Sequence, residues 1–264
     1  MKVIVLIKQT PDTAQLSPNM DGLALSAEGG PRIVNPWDEY ALEMGISLAE
    51  DHNGDCVILS MGRPTATEAI KTGLAMGANE AFLLTDPAFE MSDSLATARI
   101  LAAAIDKMGD YDIVVAGKSA IDGDTAQAAV QAAALLDIPH LGYVAEVKGV
   151  DFAAKTITVV RALEGGRETV TSSLPAIISV LKEIGEPRYP SFMGIRRAAK
   201  AQIPQWSLAD LDLSADEVGV AGSQVQWPQV SLPPVQSASL DLIEGDPEEA
   251  ARVLVDKLLA EKVI

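Results

Sequence analysis

Residues 111–127 read YDIVVAGKSAIDGDTAQ, and this stretch decides the fold. Residues 113–116 are a short, continuous apolar run rich in β-branched side chains, which is typical of a strand buried on both faces of a parallel sheet. An Ala-rich helical pattern follows and continues to about Leu136. The stretch therefore predicts a strand, a loop and a helix, which is the repeating unit of a parallel α/β sheet.

The loop between this strand and this helix is rich in small and hydroxyl-bearing residues: Gly117, Ser119, Gly123 and Thr125. Such a loop can bind an anion, because free N–H groups and the positive end of the helix dipole point towards it. One interpretation is therefore a phosphate-bearing ligand held at the loop. The other is a plain helix start with Asp124 or Thr125 as N-cap. The loop is neither a GxGxxG motif nor a P-loop, so the pattern leaves both open.

Strand and helix patterns alternate along the first half of the chain. Strands are predicted at 3–7, 55–60, 81–84 and 113–116, with helical patterns between them. Strict alternation predicts a Rossmann-like α/β fold, in which a mostly parallel sheet carries helices on both faces. Beyond Pro139 the pattern predicts further strands at 143–148, 156–163, 167–172 and 176–180, the middle two joined as a hairpin.

The last quarter of the chain has a different texture. Residues 201–244 are rich in Pro and Ser and have few periodic runs. A segment of this length is too long for a loop inside a compact domain. We interpret them as an extended arm that lies on another subunit. A final helix begins with Asp246 as N-cap and Pro247 at the first position. The predicted organisation is a nucleotide-binding α/β domain at 1–200 and a C-terminal arm with its helix at 201–264.

Two other segments invite a functional interpretation beside a structural one. Asn35 precedes Pro36 as a reasonable N-cap, so Asn35 and Asp38 either begin a helix or hold a nucleotide. Residues 186–197, EPRYPSFMGIRR, are locally basic in a very acidic chain. They are interpreted as a contact surface for a partner or an anionic ligand, with a solvated helix start as the alternative.

Composition excludes several classes of protein. The chain has 264 residues, 48% of them hydrophobic, and a formal net charge of −17, which argues against nucleic acid and anionic membranes as general partners. One cysteine and two histidines offer neither a disulfide framework nor a metal site. The apolar part of the N-terminus is too short for a membrane span, so the expected location is the cytoplasm. No residue pattern predicts a catalytic side chain, so any redox chemistry would need a cofactor.

Five motifs, in order along the chain, resemble the β subunit of electron-transfer flavoproteins. They are KQTPD at 8–12, NPWDE at 35–39, GLAMGA at 73–78, GKSAIDGDTAQ at 117–127 and EPRY at 186–189. The resemblance implies a Rossmann-like subunit paired with an α subunit, whose FAD exchanges electrons with acyl-CoA dehydrogenases and similar flavoenzymes. It also implies an adenine nucleotide bound between the first strand, residues 35–38 and the loop that begins at Gly117.

Residue by residue, the resemblance implies a cofactor site and a partner-recognition loop. The implied cofactor contacts are Leu6, Lys8, Asn35, Pro36, Asp38, Met61, Asp93, Ser94, Thr97, Gly117, Lys118, Ser119, Ile121, Asp122, Gly123, Asp124, Thr125, Ala126 and Gln127. The implied recognition residues are Tyr189, Phe192, Met193, Ile195 and Arg196. No catalytic residue and no metal ligand is implied.

Two branches of the family differ in the nucleotide of the β subunit. One holds structural AMP, and the other a second FAD that takes a hydride from NADH and splits the electrons between two acceptors, such as a dehydrogenase and a ferredoxin or flavodoxin. Residues 91–98, MSDSLATA, are similar to the flavin-contacting stretch of the second branch, with Ser94 in place of Thr. Residues 218–223, VGVAGS, also resemble that branch's arm. We therefore expect FAD, with AMP and a docking role as the alternative, and NADH oxidation only in the complex of both subunits.

Overall fold

The computed structural model describes residues 1–15, 30–225 and 242–264. Residues 16–29, and residues 226–241 of the predicted arm, lie outside the described residues. The chain divides into two compact units, Met1–Pro228 and Gln229–Ile264.

The described elements of the first unit are strands and helices in near alternation. The strands are β1 (Lys2–Ile7), β2 (Gln9–Pro11), β3 (Arg32–Val34), β4 (Asp55–Met61), β5 (Glu80–Leu84), β6 (Ile113–Gly117), β7 (His140–Asp151), β8 (Thr156–Leu163), β9 (Gly166–Ser173), β10 (Ala176–Val180) and β11 (Gln205–Trp206). The helices are α1 (Pro36–Asp51), α2 (Thr67–Met76), α3 (Ser94–Met108), α4 (Ala128–Leu135), α5 (Phe192–Ala198) and α6 (Gly219–Gly222).

In the described part of the chain, nine strands form one sheet in the order β11-β5-β4-β1-β6-β10-β7-β8-β9. Pairing is parallel from β11 to β7 and antiparallel from β7 to β9. The predicted Rossmann-like α/β class is confirmed, and so is the hairpin, which is β8 and β9. Strand β7 begins at His140, three residues before its predicted start.

Two cores cover the two faces of the sheet, because successive side chains of a buried strand point to opposite faces. In β1, Val3 and Val5 pack with α1 and α2, whereas Ile4 and Leu6 pack with α3 and α4. Burial of each such side chain contributes about 1.5–3 kcal/mol relative to exposure. The sheet is thus packed between helices on both faces, and its carboxyl edge carries the loop that follows β6.

The first part of the predicted arm packs against the sheet. Strand β11 extends the sheet at β5, where Leu83 and Thr85 donate backbone hydrogen bonds to Pro204 and Trp206. The Trp206 ring lies 4.6 Å from that of Phe82. This pairing was not predicted, because a strand of two residues has no periodic pattern of its own.

The second unit contains α7 (Pro247–Ala260). Asp246 caps this helix as predicted, since its Oδ1 accepts hydrogen bonds from the N–H groups of Glu248 and Glu249. Pro247 takes the first helical position, where no intrahelical N–H is needed.

Candidate functional site

The strand order reverses at β1, which has β4 on one side and β6 on the other. Loops that leave neighbouring strands in opposite directions open a crevice at their carboxyl ends, and ligands of α/β proteins bind there. A cavity of about 330 Å³ occupies this position. Its lining includes these predicted cofactor contacts: Leu6, Lys8, Asn35, Asp38, Met61, Asp93, Ser94, Thr97, Gly117, Lys118, Ser119, Asp122, Gly123, Asp124, Thr125, Ala126 and Gln127.

Two predicted contacts, Pro36 and Ile121, stand outside this lining. The lining also has residues that sequence reasoning missed: Ile7, Ser92, Leu101, Ala116, Ala120, Ala128, Ala129 and Val225. Most are small or apolar and carry no chemical signal. The N-terminal end of α3 faces the loop 117–127 across the cavity, although the two are separated by a strand and a helix in sequence.

Asn35 joins two segments of the cavity wall. Its Nδ2 donates to the Ser119 carbonyl at 2.8 Å, and its Oδ1 accepts from the Ile121 N–H at 3.1 Å. The side chain makes no cap hydrogen bond to α1, although the residue occupies the N-cap position. Asn35 therefore holds the loop in place, and Ile121 contributes to the site through its backbone.

Asp38 lies beneath the cavity and is 6% exposed. Its Oδ2 accepts from the Lys8 N–H at 2.7 Å. Burial raises the pKa of Asp38 to about 7, although hydrogen bonds from Asn35 and from the backbone of Lys8 counteract the shift. A Cβ on Gly117 would lie 2.5 Å from Asp38 Oδ1 and 2.6 Å from the Trp37 carbonyl carbon. Gly117 is thus required by its packing against α1.

The loop 118–127 does not behave as a plain helix start. Helix α4 begins at Ala128, with Gln127 in the N-cap position and no side-chain cap among the described residues. The alternative that Asp124 or Thr125 caps this helix is therefore wrong. Asp124 and Ala126 have φ of 44° and 53°, values uncommon for residues with a Cβ and frequent at functional sites.

A buried hydroxyl at the cavity has no partner among the described residues. It is Ser119 Oγ, on a residue that is 8% exposed. The first backbone N–H groups of α4 also lack intrahelical acceptors, as at every helix start, and Ala128 and Ala129 line the same cavity. These donors fit the oxygens of a phosphate group.

Two lysines stand at the rim of the cavity. Lys8 Nζ pairs with Asp122 Oδ2 at 2.8 Å. Lys118 Nζ lies 5.0 Å from the centre of the Trp37 ring, within cation–π range. Both cations are held near the loop by these contacts, where they favour an anionic ligand.

The other end of the cavity is the first turn of α3. Asp93 caps this helix, since its Oδ1 accepts a hydrogen bond from the Ala96 N–H at 2.8 Å. Its Oδ2 accepts from the N–H groups of Gln224 and Val225 at 2.7 and 3.0 Å. Burial alone would raise the pKa of this carboxyl, but the backbone N–H donors hold it below its usual range. Asp93 therefore fastens the segment that precedes the undescribed part of the arm to α3.

The predicted recognition residues form an exposed apolar surface. Tyr189, Phe192, Met193 and Ile195 are 94%, 80%, 70% and 53% exposed. Arg196 is also exposed. Exposed apolar side chains of this kind are consistent with the predicted contact surface, which stays a prediction.

The basic character that suggested this surface has another origin. Arg188 binds Glu43 and Glu50 on α1, with Nε to Glu43 Oε2 at 2.9 Å and Nη1 to Glu50 Oε1 at 2.8 Å. Arg197 donates from Nη2 to the Leu74 carbonyl at 3.1 Å. These two arginines anchor the segment, whereas Arg196 remains exposed, and the contact surface itself stays a prediction.

No helix among the described residues has both the length and the apolar character needed to cross a membrane.

A doubly wound sheet with a cavity where its strand order reverses defines a Rossmann-like α/β protein. A family model for the electron transfer flavoprotein domain matches residues 23–211, which is more than half of the chain. The chain belongs to the electron transfer flavoprotein family and, within it, to the β subunits.

Several electron transfer flavoprotein subunits align with this chain over their full length. The chain is 40% identical to the electron transfer flavoprotein subunit beta of Thermoanaerobacterium thermosaccharolyticum and 39% identical to that of Clostridium acetobutylicum. It is 37% identical to the caffeyl-CoA reductase-Etf complex subunit CarD of Acetobacterium woodii. Each alignment covers 100% of both chains.

Proposed function

We propose that this β subunit pairs with an α subunit and holds a second FAD in the cavity at the carboxyl edge of its sheet. The pair would pass electrons between NADH, an acyl-CoA dehydrogenase-type flavoenzyme and a ferredoxin or flavodoxin. One observation carries the proposal: the cavity extends from the loop 117–127 to the first turn of α3. A nucleoside monophosphate would contact only the loop 117–127. A dinucleotide such as FAD is longer, and its second half would contact the first turn of α3.

The loop end of the cavity supplies donors for the pyrophosphate and the adenosine. Ser119 Oγ is buried without a partner, and the first N–H groups of α4 face the same space. Lys8 and Lys118 add positive charge near an otherwise acidic group of side chains. Asn35 keeps the loop in this shape through its two hydrogen bonds.

The α3 end supplies hydroxyls for the other half of the dinucleotide. Ser94 and Thr97 line the cavity, and their side chains can hydrogen-bond a ribityl chain or a flavin ring. The Asp93 carboxylate is already bonded to three backbone N–H groups, so its role is to position the arm segment and α3. FAD bound there would accept a hydride, two electrons and a proton, from NADH, which leaves as NAD⁺.

The exposed apolar surface of Tyr189, Phe192, Met193 and Ile195 is proposed as the contact for the partner flavoenzyme. The relative from Acetobacterium woodii is named as a subunit of a caffeyl-CoA reductase-Etf complex, which supports a partner that acts on an acyl-CoA thioester.

The nucleotide content of the complex tests the proposal. The chain is co-expressed with its α subunit, the purified complex is denatured, and released FAD and AMP are quantified by chromatography. We expect two FAD and no AMP per heterodimer. One FAD and one AMP would overturn the proposal and leave the docking role.

A variant at the α3 end makes this test specific to the cavity. Thr97→Val removes a hydroxyl from the cavity lining, and the loss of one hydrogen bond should weaken the affinity for the second FAD about tenfold. Less of the second FAD should therefore remain bound after gel filtration. Thr72→Val is the matched control, since Thr72 Oγ1 bonds only its own helix, at the Glu68 carbonyl. Equal retention in both variants would contradict the assignment of Thr97.

A further inference from the structure

Residues 217–225, here called the strap, pack against the N-terminal half of α3. The strap contains α6, and its last residue, Val225, lines the cavity at the carboxyl edge of the sheet. Ser223 of the strap and Asp93 of the cavity lining are hydrogen-bonded although they are 130 positions apart in sequence. The strap is therefore part of the cavity wall at the α3 end.

The end of the strap that reaches the cavity is held by Asp93. The Asp93 Oδ2 accepts hydrogen bonds from the N–H groups of Gln224 and Val225 at 2.7 and 3.0 Å. In return, Ser223 Oγ accepts from the Asp93 N–H at 2.8 Å and donates to the Gly219 carbonyl at 2.7 Å. The backbone of Val225 is thus fixed directly to the residue that caps α3.

The middle of the strap lies very close to the turn that precedes α3. The Gly219 N–H donates to Ser92 Oγ at 2.9 Å. Gly219 has a φ of 58°, and a Cβ at this position would collide with the Ala88 carbonyl oxygen. Glycine is therefore needed here both for its backbone conformation and for the close approach.

Arg99 makes a further attachment on α3. Its Nη1 donates to the Glu217 carbonyl at 3.2 Å and to the Gly222 carbonyl at 3.1 Å. The Glu217 carboxylate accepts instead from the N–H and the hydroxyl of Ser214. A charged donor makes stronger hydrogen bonds than a neutral one. The guanidinium therefore holds both ends of the short α6 turn against α3.

Arg99 lies outside the cavity lining, although its neighbours on α3 belong to it. Thr97 and Leu101 line the cavity and are four positions apart, so they share one face of the helix. Arg99 lies midway between them in sequence and therefore points to another side. Neither the sequence nor the proposed function assigned Arg99 a role. Any effect of this residue on a ligand must act through the strap.

We propose that Arg99 is a positioning residue for the cofactor, which holds the strap so that Val225 forms the cavity wall at the α3 end. The inference rests on the proposed function, because only a dinucleotide extends to that end. Val225 is 53% exposed, so its position depends on the backbone hydrogen bonds of the strap more than on packing. Loss of the guanidinium loosens the strap and speeds release of the cofactor.

The test measures the release of FAD from the purified complex with the α subunit, sampled over time by filtration. We expect Arg99→Gln to release the second FAD about tenfold faster, because a charge-assisted hydrogen bond is lost and affinity changes mainly through dissociation. Arg99→Lys keeps a cationic donor and should restore most of the retention. The FAD of the α subunit should leave at one rate in all variants and is the internal standard.

A double-mutant cycle tests whether Arg99 acts through Val225. Val225→Ala removes the wall side chain and keeps the backbone hydrogen bonds of the strap. If both residues act on the same wall, the double variant should release FAD more slowly than the product of the two single effects predicts. Effects that simply multiply would contradict the proposed route.

Hydrogen exchange gives a readout that needs no bound flavin. The backbone amides of residues 217–225 should exchange faster in Arg99→Gln than in the wild type, because the strap opens more often. Arg167→Gln is the matched control, since Arg167 is an exposed residue of β9 outside the cavity lining. It makes the same charge change and should alter neither exchange nor FAD release. Circular dichroism should show a folded protein in each variant.

Flavin content separates failure of this inference from failure of the proposed function. Two FAD per heterodimer with equal release from the wild type and Arg99→Gln would overturn the inference alone. One FAD and one AMP would overturn the proposed function. In that case the AMP is removed and FAD is titrated into the emptied complex. Binding about tenfold weaker in Arg99→Gln still supports the inference, and equal or absent binding refutes it.

Discussion

At the scale of single residues, the cavity at the carboxyl edge of the sheet depends on close packing beneath its floor. Gly117 brings β6 against the start of α1, where any Cβ would collide with Asp38 and Trp37. Asp38 then becomes buried and bonds the Lys8 N–H. The arrangement is costly for a carboxylate, because burial disfavours its charged form.

The buried carboxyl predicts an unusual pH dependence of stability. The pKa of Asp38 is raised from 3.8 to about 7, so between these values the folded chain binds a proton that the unfolded chain does not. Stability from this group is complete below about pH 4 and is lost as the pH rises through about 7, with an upper bound of about 4 kcal/mol. Urea denaturation at pH 5 and pH 8 should show a larger fall in the free energy of unfolding for the wild type than for Asp38→Asn.

Other carboxyl groups also contribute to the pH dependence of stability. Comparing the wild type with Asp38→Asn removes their contribution, because both proteins contain them. The pKa of Glu39 is also raised by burial, and Glu39 is present in both proteins. A difference in the free energy of unfolding between wild type and Asp38→Asn that is equal at both pH values would show that Asp38 titrates normally.

At the scale of elements, α1 connects the cavity at the carboxyl edge of the sheet with the exposed apolar surface of residues 189–195. Its first turn lies at the cavity through Asp38, and its later turns hold Arg188 through Glu43 and Glu50. Helix α5 packs closely on α2, since a Cβ on Gly194 would collide with the Ala75 carbonyl. The predicted recognition residues are therefore presented on a fixed framework.

Removal of the Arg188 guanidinium tests that framework. In Arg188→Gln, Glu43 keeps a carboxylate that is only 16% exposed but loses its cationic partner. We expect the free energy of unfolding to fall by about 1–3 kcal/mol, as for other partly buried charged hydrogen bonds. Chemical denaturation measures the change.

Arg196→Gln is the control for charge, because Arg196 lies on the same segment and is exposed. Its effect should stay within about 0.5 kcal/mol, as is usual for surface substitutions. Equal losses in the two variants would mean that net charge, and not the anchoring of the segment to α1, determines stability here.

At the scale of the whole molecule, the formal net charge of −17 on 264 residues creates self-repulsion in the compact state. Salt screens charges that are far apart much more than it weakens partly buried pairs such as Arg188 with Glu43. The thermal midpoint should therefore rise between 10 and 200 mM NaCl, about 2–4 °C for each kcal/mol gained. The same rise with KCl would assign the effect to ionic strength, and a falling midpoint would show that attractive pairs dominate.

Features that depend on neighbours in sequence were predictable. The apolar runs of β1 and β6, the turn between β8 and β9, and the caps Asp93 and Asp246 all follow from local patterning, and the structure confirms them. The loop 117–127 was also correctly placed at the carboxyl edge of the sheet, because a strand that leads to a helix leaves its loop there.

The remaining features depend on residues that are distant in sequence. Asn35 bonds the carbonyl of a residue 84 positions away, and Arg188 bonds a glutamate 145 positions away. Strand β11 joins the sheet only because β5 offers an unpaired edge. A local pattern therefore read Arg188 as a surface charge and residues 204–206 as part of an arm.

The α/β class, the order of the elements and the position of the loop 117–127 follow from the sequence alone, because hydrophobic periodicity and helix caps act over a few residues. The folded chain was needed to learn which side chains meet at the cavity. It was also needed to learn that Arg188 and Arg197 are bound to α1 and α2 and are not free surface charges. Those outcomes depend on which distant segments pack together, and long-range packing is a property of the folded chain that no local pattern contains.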